Sequence, residues 1–290
     1  MLAGRLGLET ARIPHADRHG LVWLEYGNLV VQDGTLHFIA AQSMVLDAGD
    51  YCIPFQMLSL ILLGPGTSVS HDAFRLMARH GTALVAVGEG GVRMYTAQPL
   101  GPNESALARQ QARCWADAEG LRLHIARRMY AIRLGEIMPK AEIAVLRGIE
   151  GARMKELYTQ LARKYCIDWD GRKYDRSKPG AEDLPNQAIN HAATAVEAAA
   201  HIAVAATGTL PQLGFIHEDS FNAFCLDIAD LYRHTVVIPL AFEAVKQLEK
   251  EPSITVDRCV RRRANRMFKE KDLIPKMIDC IKQLFEKKEE

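Results

Sequence analysis

The chain has 290 residues, 48% of them hydrophobic and 24% charged, which is ordinary globular composition with enough apolar surface for a full core. Its 36 Lys and Arg almost cancel its 35 Asp and Glu, so overall charge selects no class of partner and only local clusters carry information. The six cysteines (Cys52, Cys114, Cys166, Cys225, Cys259 and Cys280) form no Cys-x-x-Cys pair. That argues against a zinc ribbon and reads as reduced, mostly buried thiols of a cytoplasmic protein. Met1 to His19 has no long apolar core and does not read as a secretory signal. The Ala-rich stretch from Asn186 to Thr207 carries Gln187, Asn190, His191, Glu197 and His201, so it reads as a buried helix and not a membrane span.

In chain order, the first third predicts strands. Val22–Tyr26 is apolar and aromatic, and Leu29–Val31 and Leu36–Ile39 flank Asp33-Gly34, a hairpin signal. Leu58–Leu63 is a continuous apolar run, as in a buried strand. Thr67–Ser70 supplies cap residues for a helix over His71–His80, which Gly81 stops. Thr82–Val87 and Val92–Tyr95 read as a second hairpin across Gly88–Gly91. Beyond Pro99-Leu100-Gly101-Pro102 the pattern turns helical: one long helix over Ser105–Gly135, then Ala141–Leu146 leading into Arg147-Gly148-Ile149-Glu150-Gly151, and a helix over Met154–Tyr165. Asp168–Pro185 reads as a loop. Further helices are expected over about 186–206, 220–233, 237–250 and 256–286, the last broken near Asp272. The fold class is therefore α+β: a small N-terminal β-rich domain over residues 1–97, then a larger all-α domain over 98–290.

Candidate chemistry begins at Asp227 and Asp230. Spaced i, i+3, they share a helix face among apolar neighbours, where carboxylates are costly unless paired or metal-bound. An exposed acidic face is the competing interpretation. His217 follows the apolar Leu213–Ile216 and precedes Glu218-Asp219-Ser220, a helix start, so it can swing onto the same site; a lone core or surface histidine is the alternative. Glu150 stands between Gly148 and Gly151, which suggests a tight turn or a close backbone approach, or else a carboxylate at a helix start. A Glu, a His and two Asp make a hard-oxygen set with one imidazole, suited to Mg²⁺ or Mn²⁺ more than zinc. Such ions serve phosphoryl transfer.

Two basic clusters accompany them. Arg258, Arg261, Arg262, Arg263, Arg266, Lys269 and Lys271 fall in one helical region. Arg163, Lys164, Arg172, Lys173, Arg176 and Lys178 surround Tyr165, Trp169 and Tyr174. Cations interleaved with aromatics suit phosphate contacts and base stacking, although a solvated helix face is the usual meaning of a charge run.

Taken in order, Arg147-Gly148-Ile149-Glu150-Gly151-Ala152-Arg153, Gly214-Phe215-Ile216-His217 and Asp227-Ile228-Ala229-Asp230 resemble the active-site motifs of the CRISPR-associated adaptation integrases, type I-E branch. Pro65-Gly66-Thr67, Val69-Ser70-His71, Gly88–Arg93 and Trp169–Asp175 resemble the same branch, and the likeness runs from about Leu21 to beyond Pro275. It implies a sandwich-like N-terminal dimerisation domain, a helical catalytic domain, and a homodimer. Two such dimers would bridge a small ferredoxin-fold partner protein. Their substrates would be double-stranded DNA with 3′ ends and repeat-array DNA, joined by metal-dependent transesterification; a divalent-metal nuclease acting by hydrolysis is the alternative. By the same resemblance Glu150, His217 and Asp230 are metal ligands, with Asp227 beside them as a fourth catalytic residue. Tyr26, Arg75 and Arg93 match positions implicated in the branch's DNA handling or active site. Ser68 departs from the pattern, which leads one to expect arginine.

Overall fold

The computed structural model describes residues 20–43, 46–97, 105–117, 120–136, 142–173 and 183–286. Its contacts divide the chain into two compact units: Met1–Gly88 with Tyr95–Ala106 and Ala205–Gly208, and Glu89–Met94 with Leu107–Val204 and Thr209–Glu290. The first is β-rich and the second helical, so the chain is α+β in the expected order.

The β-rich unit holds two four-stranded sheets. One runs β1 (Gly20–Leu24), β5 (Leu58–Leu63), β7 (Ala83–Val87), β8 (Met94–Ala97), and its β1/β5 and β5/β7 pairs are parallel. The other runs β4 (Gly49–Ile53), β3 (Thr35–Ala40), β2 (Gly27–Gln32), β6 (Thr67–Val69). β5 is buried along its whole length, which explains its unbroken apolar sequence. At the β2–β3 turn Asp33 (φ 49°) and Gly34 (φ 77°) are both left-handed, the geometry that lets a two-residue loop follow the twist of its strands. Leu29, Leu36 and Phe38 from one sheet, Ile61 and Leu84 from the other, and Ala73 and Met77 from α1 (His71–His80) share one core. Ser70 caps α1 by accepting from Ala73 N, and Gly81 (φ 68°) ends it.

Two strands depart from expectation. β4 pairs antiparallel with β3, although Gly-Asp-Tyr-Cys-Ile is poor strand sequence; its edge position, mostly exposed, tolerates it. Thr67–Val69 is not only a cap lead-in but a short strand parallel to β2. There the Ser68 hydroxyl donates to Asn28 Oδ1.

The helical unit is built from α2 (Ala106–Ala116), α3 (Leu121–Leu134), α4 (Ile143–Lys164), α5 (Leu184–Thr207), α6 (Ala223–Asp230), α7 (Ile238–Lys250), α8 (Val256–Glu270) and α9 (Leu273–Phe285). Against the single helix expected over Ser105–Gly135, the chain breaks after Asp117. Its carboxylate accepts from Gly120 N (3.0 Å) and Leu121 N (3.1 Å) and so starts α3. Conversely, α4 runs unbroken through Gly148 and Gly151. The expected turn at Glu150 is therefore corrected to a mid-helix position. α5 is lined with buried Ala and Ile, and among the described residues no helix is long and apolar enough to cross a membrane. A π-turn over Arg233–Val237 links α6 to α7, next to Pro239, which has no N–H with which to close an α-helical bond. Asp272 (φ 50°) breaks the last helical stretch at the expected point.

The cysteines are free. Cys114, Cys225 and Cys259 are buried, but Cys52 and Cys166 are exposed, so the expectation of mostly buried thiols holds for only part of the set.

Candidate acid–imidazole site

The site lies wholly within the helical unit, on α3, α4, the 214–222 loop and α6. The loop is anchored by Phe215, whose ring packs against Phe224 of α6 and Phe285 of α9. Arg147 of α4 donates to Ile216 O (3.0 Å), and Arg122 of α3 pairs with Glu218 (2.7 Å). The helix start expected at Glu218–Ser220 falls later: Asn222 is the residue before α6.

Asp227 organises the loop. Only 1% exposed, it accepts from the backbone N–H groups of Phe215 (2.5 Å), Ile216 (3.1 Å) and His217 (2.9 Å). It also holds His217 Nδ1 at 2.8 Å. The exposed acidic face is thus ruled out for this residue. With Nδ1 engaged, Nε2 is the free ring nitrogen, and it faces Asp230 Oδ2 at 3.9 Å. The bond to Asp227, the largest influence, raises the His217 pKa above its ordinary value, although burial opposes it.

Glu150 joins through a residue that the sequence did not single out. Arg133 of α3 is buried; its guanidinium pairs with Glu150 through Nη2 and with Asp230 Oδ2 through Nη1 at 3.4 Å. Arg233 binds the other Asp230 oxygen through Nε (3.1 Å) and Nη2 (2.7 Å). Burial pushes the Glu150 pKa up, against the pull of Arg133, and the Asp230 charge adds to the rise. Arg133 had a sequence signal: it falls on the buried α3 stripe of Ile125, Ala126, Met129 and Tyr130, where a charge demands a partner. Arg233 had one too, at i+3 from Asp230.

Glu150, His217 and Asp230 therefore meet, but around a guanidinium. Among the described residues no three His, Cys, Asp or Glu side chains are grouped closely enough to share an ion. The donor set still fits a hard divalent cation. Glu150 and Asp230 share the Arg133 charge, Arg233 adds a second at Asp230, and the imidazole turns Nε2 toward Asp230.

The other singled-out residues are dispersed. In the β-rich unit, Tyr26 is 48% exposed in a left-handed conformation (φ 57°), and Arg75 pairs with Asp72 on α1. In the helical unit, Arg93 (2.6 Å) and Arg261 (2.7 Å) both pair with Asp257. Arg163 is exposed at the end of α4. Trp169, one of the aromatics suited to base stacking, is half-buried, stacked on Tyr158 (centroids 5.2 Å) and edge-on to Phe242 (5.8 Å). Arg172 donates to Asn186 and Asn190 at the start of α5. Arg262 and Arg266 are exposed on α8. Tyr174, Arg176 and Lys178 lie outside the described residues.

A β-rich unit followed by a helical one that gathers acids and an imidazole defines an α+β protein with its candidate site in the helical part. Residues 130–259, which contain every member of that cluster, match the family model for CRISPR associated protein Cas1. The chain is 36% identical over 273 residues to the CRISPR-associated endonuclease Cas1 of Escherichia coli (strain K12), covering 94% of this chain and 86% of that one. It is 35% identical over 273 residues to a Cas1 of Methanospirillum hungatei, covering 94% and 88%. The solved structure of a TtCas1–DNA complex superposes with a TM-score of 0.82 at 32% identity, covering 93% of this chain and 97% of that one. The chain belongs to the Cas1 family of CRISPR-associated proteins.

Proposed function

We propose that this protein is a metal-dependent DNA integrase of CRISPR adaptation, of the type I-E branch. It joins short foreign DNA to a repeat array by transesterification. A DNA 3′-hydroxyl attacks a phosphodiester of the array, one P–O bond forms and another breaks, and the departing 3′-oxygen takes up a proton. The observation that supports this reading is that Glu150 and Asp230 both pair with Arg133, while the Asp227-oriented His217 faces Asp230 through Nε2. Relatives named endonucleases, and one solved in complex with DNA, support DNA as the substrate.

Glu150, His217 and Asp230 would hold Mg²⁺ or Mn²⁺, which when bound stabilises charge on the attacking and leaving oxygens. Asp227 fixes the imidazole so that Nε2 is available as a ligand. Gly148 and Gly151 flank Glu150 on the exposed side of α4, and a Cβ at either would meet nothing within 4 Å. Each costs about 1 kcal/mol relative to alanine in a helix. A DNA backbone lying close along that strip gives the cost a purpose. In the same reading the β-rich unit serves a homodimer that works with a small ferredoxin-fold partner.

The test is a plasmid integration assay with the purified protein, its partner, Mg²⁺ or Mn²⁺, and a labelled short duplex with free 3′ ends. Label should join the plasmid covalently, and 3′-dideoxy ends should abolish joining. The name endonuclease favours a second reading, hydrolysis with water as nucleophile. Shortening of DNA without joining would replace the first reading by it.

The DNA surface has its own test. On α8, Arg258, Arg262, Arg266 and Lys269 form an exposed stripe at helical spacing. Arg261 and Arg263 instead pair with Asp257 and Glu243. Arg258, Arg262 and Arg266 replaced together by alanine should lower the log–log salt slope of duplex binding by about 2–3, near 0.9 per phosphate contact. Arg263→Ala should leave the slope unchanged and lower stability, because it leaves Glu243 with the Tyr165 hydroxyl and without its cation. An unchanged slope in the triple variant would make the stripe an ordinary solvated face.

A further inference from the structure

We propose that Arg133 is a resident counter-cation of the active site, a positioning residue that holds Glu150 and Asp230 together until a divalent ion displaces it. The inference rests on the metal reading above and adds to it a competitor built into the fold. Three observations carry it. The guanidinium pairs with both carboxylates assigned as ligands, on α4 and α6, and so stands where those ligands would share an ion. It is buried, and its Nε has no hydrogen-bond partner, so the residue is held by the carboxylates and not by a complete network of its own. Finally, a cavity of about 420 Å³ opens beside it, lined by Arg133 itself with Glu150, Arg153, Met154, Leu157 and His234, which gives the side chain room to withdraw.

The physical logic is one of alternative neutralisation. Two partly buried carboxylates brought together without a cation repel each other and pull apart. Arg233 offsets the charge of Asp230 alone, whereas Arg133 bridges both carboxylates and so keeps the ligands together in the metal-free protein. The same contacts must be broken before an ion can take both oxygens, so each ion bound pays the loss of two ion pairs. Metal affinity is thereby set low in the free protein. Arg133 does not touch the reacting atoms in this scheme; it acts through Glu150 and Asp230.

The experiment measures Mn²⁺ binding directly, by the electron paramagnetic resonance signal of free Mn²⁺ at pH 8, together with melting temperature in EDTA and in Mn²⁺. Arg133→Met keeps the aliphatic stem and removes the charge. It should bind Mn²⁺ about tenfold tighter than wild type, melt lower in EDTA, and regain more of its melting temperature on adding Mn²⁺ than wild type does. Arg133→Lys keeps the charge but loses the planar fork that spans both carboxylates, and it should bind Mn²⁺ with intermediate affinity. It carries the test if the methionine variant does not fold. Unchanged or weaker Mn²⁺ binding in a folded variant overturns the proposal. Asp230→Asn separates the two readings. If it loses Mn²⁺ binding while Arg133→Met binds like wild type, the metal site stands and the counter-cation role falls. If wild type, Asp230→Asn and Arg133→Met all bind alike, or none binds, both readings fall together.

Discussion

Glu150→Ala, His217→Ala and Asp230→Ala should each reduce strand joining on the order of a thousandfold or more, while duplex affinity changes by less than about threefold. The separation follows from what each group does in the proposed reaction. A ligand to the ion supports charge that develops only in the transition state, so its loss is felt in the chemical step and not in ground-state binding. Electrostatics sharpen the contrast. Removing Glu150 or Asp230 takes negative charge from a site that faces a polyanion, and it leaves Arg133 and Arg233 in place. Affinity for DNA should therefore hold steady or rise slightly. The measurements are single-turnover joining of a labelled duplex and equilibrium binding of the same duplex, at one stated salt concentration. Parallel loss of binding and joining would withdraw the catalytic assignment and make these residues part of the DNA-binding surface.

Much of the fold was legible because local signals agreed with long-range packing. Leu58–Leu63 had no polar residue to assign to a solvent face, and β5 is central and buried. Ser70 and Gly81 bracketed α1, and Asp33-Gly34 fixed a hairpin whose turn requires left-handed residues. The failures have physical causes as well. β4 is an edge strand made by pairing with β3, not by its own Gly-Asp start. Asp117 breaks a helix through its side chain, which periodicity does not register. Gly148 and Gly151 signalled a turn, yet α4 absorbs both. At the site, the i, i+3 spacing of Asp227 and Asp230 and the nearby His217 were readable locally. Glu150 was singled out by its flanking glycines, but nothing local ties α4 to α6, and only the motif resemblance joined it to the other two segments. Arg133 was missed because both of its partners are distant in sequence; only its place on an apolar stripe marks it. Trp169 shows the opposite error: an aromatic among cations whose ring is already occupied by Tyr158 and Phe242.

The two aspartates of α6 should also separate sharply by stability. Asp227→Ala should cost the helical unit about 3–5 kcal/mol in the absence of any metal, a fall in melting temperature on the order of 10 °C. The reason is the number of donors aimed at one buried carboxylate. Three backbone N–H groups, from Phe215, Ile216 and His217, and the His217 ring all converge on it. Truncation leaves those donors without their acceptor in a buried or partly buried place, and each orphaned group costs about 1–3 kcal/mol. Asp227→Asn should not rescue the loss. An amide supplies one oxygen where the loop uses two, and its NH₂ would face N–H donors, so a penalty of about 2 kcal/mol should remain. Joining activity should vanish with either change, because the freed imidazole no longer presents Nε2 toward Asp230. Denaturant unfolding in EDTA, followed by circular dichroism of the helical signal, measures the stability term apart from any ion. A metal-free Asp227→Ala protein as stable as wild type would mean that the loop is held by Phe215 packing and the Arg122 and Arg147 contacts instead. Asp227 would then matter only through the histidine it orients.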